Sequence, residues 1–413
     1  MRGDGPAWLA EWRRLVLEAA DFACEPMALA ESADWRLRDG QIRHRTGRFF
    51  SVVGVEDSSG RSFPLIHQPE VGTLGFLVAG PPGRTRWLTQ MKIEPGNVGA
   101  AQLAPTLQAT QSNLDRVHHG WSPMPADRFP GSAPALADGL WSEQGSRFLG
   151  KRNRNVTVAA DPPQAETLRH RWVESPDLRE ALGSDFAVNT DARSVIATAP
   201  WRLVGGVEPF TGGLRRSYLH HEAGALRRAA AAVESLPSAE LRRVPLEALA
   251  EAVLDPGTPT PLLHPHFDVV HRMVRATTRE VTTWDQPLAK GTGQGRIELR
   301  LAACPDGLLR AELAIDRDPG LIWGAELTAS AVTPAGSAVS PWSPGRALAR
   351  VLVSDEGGRF DHEVSEVRII ETDGPLDEDA PLLTLGDLER LVRRPMATTN
   401  ELRTAVAVLL SLA

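Results

Sequence analysis

Apolar residues in this chain recur with two periods. Near the start, Trp8, Leu9, Trp12, Leu15 and Leu17 fall among charges. That spacing predicts an amphipathic helix, not the unbroken apolar run of a signal peptide. Strand-type runs follow over residues 49–55 and 269–274, the first closed by the turn residues Asp57-Ser58-Ser59-Gly60. Further strands are predicted over 74–78 and 86–91, with counterparts at 296–301 and 308–315. Pro95-Gly96 and Pro319-Gly320 mark turns. A helix is predicted over 135–149, and amphipathic helices over 177–182, 191–197, 385–394 and 401–412. Residues 203–256, rich in Ala, Leu, Arg and Glu with Pro and Gly punctuation, read as a helical connector.

The elements come in two sets because the chain is written twice. EPGNVGAAQLA (94–104) aligns without a gap on DPGLIWGAELT (318–328), and SEQGSRF (142–148) on SDEGGRF (354–360). NTDARSVIA (189–197) aligns on TNELRTAVA (399–407), placing Asp191 over Glu401, and Gln68-Pro69 matches Gln286-Pro287. One order holds throughout. The chain therefore divides into an N-terminal helical segment (1–34), a first module (35–202), the connector (203–256) and a second module (257–413). The fold class expected is α+β, a tandem pseudo-symmetric pair.

The copies are unequal. Where the first has Gln90, Lys92, Asn97, Thr106 and Gln108, the second has Ala314, Asp316, Leu321, Ser330 and Val332. Either a duplicated surface drifted, or the first copy alone still does chemistry; the second reading is preferred. Composition sharpens it. The chain holds only three lysines (Lys92, Lys151, Lys290) and six asparagines, yet residues 88–120 gather Lys92, Glu94, Asn97, Gln90, Gln108, Asn113, Arg116 and His118. A lysine kept in a chain that otherwise uses arginine matters, because only the ammonium shifts its pKa far enough for proton transfer.

The remaining composition excludes more than it proposes. No stretch approaches the ~20 apolar residues of a membrane helix. Cys24 and Cys304 are too few for a disulfide framework, which points to a reducing cytoplasm. A net charge of −7 argues against nucleic acid as a partner but leaves room for a local basic pocket holding a phosphorylated ligand. The histidine pairs lack carboxylate or cysteine partners at ligand spacing, so no metal is expected.

Over nearly its whole length the chain resembles the NDP-hexose 2,3-dehydratase family of deoxysugar biosynthesis. The motifs that carry this are HQPEVGTLGFLV (67–78), TQMKIEPGN (89–97), QLAPTLQATQSN (102–113), RVHHG (116–120), KRNRN (151–155), VNTDARSVIA (188–197), WDQPL (284–288) and the two Gly-Arg-Phe or Ser-Arg-Phe segments. The resemblance implies a homodimer whose subunit is a pair of Nudix-like modules. It implies dTDP-4-keto-6-deoxyglucose as substrate, loss of the C2 hydroxyl as water, and no metal or redox cofactor. The chain departs from the family at Leu114, Arg147 and Leu149, where aromatic residues are usual, and Tyr218 is its only tyrosine. A non-catalytic nucleotide-sugar-binding relative is the alternative.

The chemistry so implied needs a base at C3, a proton for the departing hydroxide and hydrogen bonds to the ketone oxygen. Lys92 is the first candidate for proton transfer or carbonyl polarisation, with Glu94 as partner; the plainer reading is an ion pair on one strand face. His118 and Arg116, two apart, would share a pocket if extended. Gln68, Gln90, Asn97, Thr106, Gln108 and Asn113 are candidates for hydrogen bonds to sugar hydroxyls or thymine. Arg152 and Arg154 are candidates to clamp the diphosphate, with Lys151 adding charge; a solvated charge run is the alternative.

Overall fold

The N-terminal helix, Ala7–Ala20, buries Leu9, Trp12, Val16 and Ala20, a single stripe at helical spacing. Trp12 fixes it by donating from its indole to Leu168 O at 2.8 Å. The computed structural model that shows this describes residues 5–115, 125–129, 135–160, 164–234, 236–237, 240–337, 341–372 and 379–413.

Two sheets with the same strand order form the body. The first runs Ala135–Ser142, Arg152–Ala159, Gly72–Ala79, Arg86–Ile93, His170–Glu174; the second runs Arg346–Ser354, Val364–Thr372, Gly295–Ala303, Leu309–Glu312, Leu382–Leu383. In each, one inner pair is parallel, Arg152–Ala159 with Gly72–Ala79 and Val364–Thr372 with Gly295–Ala303. Their neighbours are antiparallel. The mixed α+β character follows from the helices these sheets carry. Thr190–Thr198 is buried along its whole length, and Asn400–Leu409 at every position but Glu401. They meet each other directly: Thr190 donates its hydroxyl to Asn400 Oδ1 at 3.0 Å, and Arg403 Nε donates to Ser194 Oγ at 2.8 Å. Val195, Ile196, Leu299, Ile369, Leu402 and Val406 belong to one continuous apolar core. The copies therefore do not fold as beads on a string.

The repeated Pro-Gly turns explain why. Gly96 donates to Gly357 O at 2.8 Å and accepts from His362 N at 2.9 Å; in mirror fashion Gly320 donates to Gly145 O at 2.9 Å and accepts from Gly150 N at 2.8 Å. Each turn is thus clasped by the other copy's Gly-Arg-Phe or Ser-Arg-Phe segment. A Cβ on Gly96 would lie 1.5 Å from Phe360 O, and one on Gly320 1.8 Å from Phe148 O. Only glycine fits. Phe148 and Phe360 meet edge to face at the centre, 5.7 Å between ring centroids.

Two further sheets also cross the boundary. Ala23–Pro26 pairs with Asp268–Arg275, so the N-terminal segment adds a strand to the second half. Leu241–Val244 pairs with Ser51–Asp57 in the first.

Two sequence expectations change. Residues 135–149 are not a helix: Ala135–Ser142 is the edge strand of the first sheet, laddered to Arg152–Ala159. Its Ala and Leu content favours a helix, but Gly139 weakens one, and pairing with the neighbouring strand overrides local propensity. Its counterpart Arg346–Ser354, richer in Val, states the strand more openly. Among its described residues the connector is α-helical only in its first half, as Arg202–Gly205, Gly212–Tyr218 and Ala225–Glu234; beyond these come the strands Leu241–Val244 and Val253–Leu254 with one 3-10 turn, Leu246–Ala248, between them.

Replacing Gly96 by Ala should force the two copies apart locally, costing on the order of 3 kcal/mol and roughly 3–4 °C of thermal midpoint. Differential scanning calorimetry reads this, and an unchanged midpoint would contradict the clasp.

Candidate functional site

A cavity of about 500 Å³ opens beside this clasp, lined from both halves. The first copy supplies Gln68, Glu70, Lys92, Glu94, Gln108, Asn113, Lys151, Asn153 and Asp191; the second supplies Glu356, Gly358 and Arg359. Arg279, Glu280, Trp284 and Gln286 come from the strand Thr283–Lys290 and the loop before it, and Trp35, His44, Arg45, Phe49 and Phe50 from the first half's outer strands.

Strand alternation places the central group. On Arg86–Ile93, Met91 and Ile93 join the core, so Gln90 and Lys92 face the other way. Lys92 Nζ lies 3.2 Å from Glu94 Oε1 and donates to Gln108 O at 3.2 Å. Gln108 Nε2 donates to the same Glu94 oxygen at 3.2 Å, and Asn189 Nδ2 donates to Gln108 Oε1 at 2.9 Å. Glu94 Oε2 is buried without a partner. A lysine, a carboxylate and an amide are thus held on the cavity wall, with Asn189 supporting the amide.

The same alternation sorts the KRNRN run. Lys151, Asn153 and Asn155 are buried while Arg152 is exposed and Arg154 is half-buried. Lys151 Nζ donates to Glu70 O at 2.7 Å, and Asn153 Nδ2 to Glu143 Oε1 at 2.8 Å. Asn155 instead serves the fold, donating to Ser194 Oγ. Arg154 is forked onto Asp138 at 2.5 and 2.7 Å on the outer side of the sheet. The structure therefore does not bring Arg152 or Arg154 to the cavity. Among the described residues the guanidinium groups that reach it are Arg359, Arg279 and Arg45.

The remaining candidates separate. Gln68 lines the cavity and accepts from Arg359 Nε at 3.0 Å. Asn113 lines it too, while Gln90 and Thr106 border a small adjoining recess with Arg279 and Glu280. Thr106 is committed to the backbone, donating to Leu88 O and accepting from Leu77 N. Asn97 is buried in the clasp against Gly357, outside the cavity lining, and neither amide atom finds a partner. Arg116 and His118 lie outside the described residues. Of the departures noted above, Leu114 and Leu149 pack on apolar clusters, and Arg147 faces the second copy.

Sequence reasoning missed Arg359, Glu356 and Asp191. All three stood in the repeated motifs, but the first copy was read as self-sufficient. Asp191 is 1% exposed, with Oδ1 unpartnered. Burial raises its pKa well above the ordinary carboxylate value, Glu356, Glu143 and Glu94 push the same way, and Lys92 opposes them. Burial also lowers the Lys151 pKa, against the pull of Glu356 and Glu143. The site thus holds an acid that resists ionising and an amine that resists protonation.

The first-half residues 6–199 match the family model for NDP-hexose 2,3-dehydratases. Similarity to dTDP-4-dehydro-6-deoxy-alpha-D-glucopyranose 2,3-dehydratases extends across both halves. The enzyme of Streptomyces violaceoruber is 32% identical, covering 89% of this chain and 88% of its own length. That of Saccharopolyspora spinosa is also 32% identical, covering 89% of this chain and 83% of its own. That of Amycolatopsis orientalis is 28% identical over 98% of this chain and 89% of its own. The chain belongs to the NDP-hexose 2,3-dehydratase family.

In this family member the second copy's equivalent space has shrunk to about 30 Å³. The repeat register puts Arg147 opposite Arg359 and Glu363 opposite Lys151. Arg147 closes onto Glu363, donating at 2.9 Å, with both side chains buried. Around them Asp318 and Asp355 are raised to about 7 and Glu401 to about 8, burial being the first cause in each. Among the described residues no group of three or more His, Cys, Asp and Glu side chains is placed to hold a metal ion.

These carboxyls tie stability to pH. Glu143 and Glu326, also held at about 7 by burial, join Asp318, Asp355 and Glu401. A raised folded pKa gives stability that is complete below the unfolded value and lost as pH climbs through the folded one. His170 and His266, lowered to about 4 by burial, act oppositely, but their contribution is complete above 6.5. The thermal midpoint should therefore fall between about pH 6.5 and 8.5. A midpoint that rises over that span would contradict the assignment.

Proposed function

We propose that this chain is a dTDP-4-dehydro-6-deoxyglucose 2,3-dehydratase, a hydro-lyase that removes the C2 hydroxyl of a 4-keto sugar nucleotide as water. The observation that carries this reading is the Lys92–Glu94–Gln108 network, backed by Asn189, on the wall of a cavity that also presents arginines and aromatic rings. A volume of about 500 Å³ suits a nucleotide-linked sugar. Arg359, with its guanidinium 4.2 Å above the Phe50 ring, and Arg279 above Trp284 supply fixed positive charge for a diphosphate. Trp35, Phe49 and Trp284 offer faces for thymine.

The ketone makes the C3 proton acidic, and removing it gives an enolate. Lys92, paired with Glu94, polarises the ketone oxygen. Lys151, whose pKa burial has lowered, takes the C3 proton. The enolate then expels the C2 hydroxyl, and the product tautomerises to the 3,4-diketo-2,6-dideoxy sugar nucleotide. The ketone itself is the electron sink for this sequence. The reading includes two Nudix-like modules per subunit and a homodimer, as the family resemblance implies, and a cytoplasmic setting, to which the two cysteines point. Among the described residues no helix is long and apolar enough to cross a membrane. No observation favours the alternative of a binding protein without activity.

Incubation with dTDP-4-keto-6-deoxyglucose in EDTA, followed by mass spectrometry, should show loss of one water. Lys92→Ala should lower kcat by roughly 10²-fold or more while weakening binding far less. Tight binding without water loss by the wild type would overturn the reading, and normal turnover by the variant would remove Lys92 from it.

A further inference from the structure

Elimination of hydroxide from carbon is slow unless the departing oxygen receives a proton. Lys92, held by Glu94 and by Gln108 O, is assigned to the ketone oxygen, so the leaving group at C2 needs another donor. Asp191 stands apart from those contacts. It lies in the first turn of the helix Thr190–Thr198, a rigid element locked from both copies, and its side chain forms part of the cavity lining. Neighbouring positions on that turn are spent on structure: Asn189 caps the helix by accepting from Ala192 N, and Thr190 and Arg193 bond to protein groups. Asp191 Oδ1 is fully buried and pairs with nothing. A buried carboxylate oxygen left without a partner is costly, and Asp191 is one of the residues that line the cavity.

We propose that Asp191 is the catalytic acid that protonates the leaving C2 hydroxyl, a role that rests on the dehydratase reading. Lys151 removes the proton from C3, and that bonding pair moves to make the enolate of the C4 ketone. The enolate collapses to restore the carbonyl, the C2–C3 double bond forms, and the C2–O bond breaks with its electron pair going to oxygen. The Asp191 proton joins that oxygen and water departs, leaving a carboxylate that regains its proton as Lys151 gives up its own. The setting favours the protonated form of the acid: burial comes first, Glu356, Glu143 and Glu94 also disfavour a negative charge there, and Lys92 opposes them.

The test pairs Asp191→Asn with two substrates. With the 4-keto substrate in D₂O, the variant should lose water at least ~100-fold more slowly than wild type, while exchange of the C3 hydrogen with solvent stays within a few-fold. With the 2-deoxy-2-fluoro analogue, fluoride leaves as an anion and needs no proton, so variant and wild type should release it at similar rates. Where Asp191→Asn fails to fold, Asp191→Ser gives the same ratio of water loss to fluoride loss. Equal slowing of both eliminations, or unimpaired water loss, overturns the role. A wild type that dehydrates nothing overturns the reading of function and this inference together.

Discussion

Two glycines set the geometry of this protein. Gly96 and Gly320 each enter the opposite copy's turn so closely that a single added carbon would overlap a carbonyl oxygen. Four backbone hydrogen bonds close around them, and Phe148 and Phe360 fill the space between. Because backbone polar groups at a buried junction must be paired, the exchange also decides the register of everything attached to it. Glu94 precedes one glycine by two residues, and Arg359 lies in the segment that clasps it. The clasp therefore delivers a carboxylate and lysine from one copy to the same cavity as an arginine from the other.

Duplication alone would give two equal cavities, and charge is what makes them unequal. Beside the first cavity, Arg359 faces Lys151, so the guanidinium has no carboxylate at that position to collapse on and instead bonds Gln68 and lies over Phe50. Beside the second, Glu363 takes the lysine's place and Arg147 folds onto it, filling the space. Lys92 is likewise replaced by Asp316 and Asn97 by Leu321. The second copy has kept its packing and its clasp while its cavity has turned acidic and closed, which is poor ground for a diphosphate.

Much of this was legible in the sequence. The ungapped repeats mark the residues that meet at the junction, and the strands predicted over 74–78, 86–91 and 296–301 fall within the strands found. Lys92, Glu94, Gln108 and Gln68 stand together on the cavity as a concentration of rare side chains suggested. What was not legible is whatever depends on contact between distant segments. Arg152 and Arg154 look like an anion clamp, but strand alternation turns them outward, and only the folded chain shows that Asp138 waits there. Arg359 is the reverse: its motif reads as structural until the clasp carries it across. Asp191 gave only a faint sign, its match to Glu401, because burial and not residue type makes it unusual.

The central claim is that one cavity, assembled from both copies, holds the substrate. A crystal structure with a thymidine-diphosphate-linked hexose tests it most directly. The account predicts the hexose ring against Lys92 and Asp191 with the diphosphate on Arg359, so that a single ligand touches both halves of the chain. A ligand bound within one half alone, with Arg359 and Lys92 on no part of it, would contradict the account.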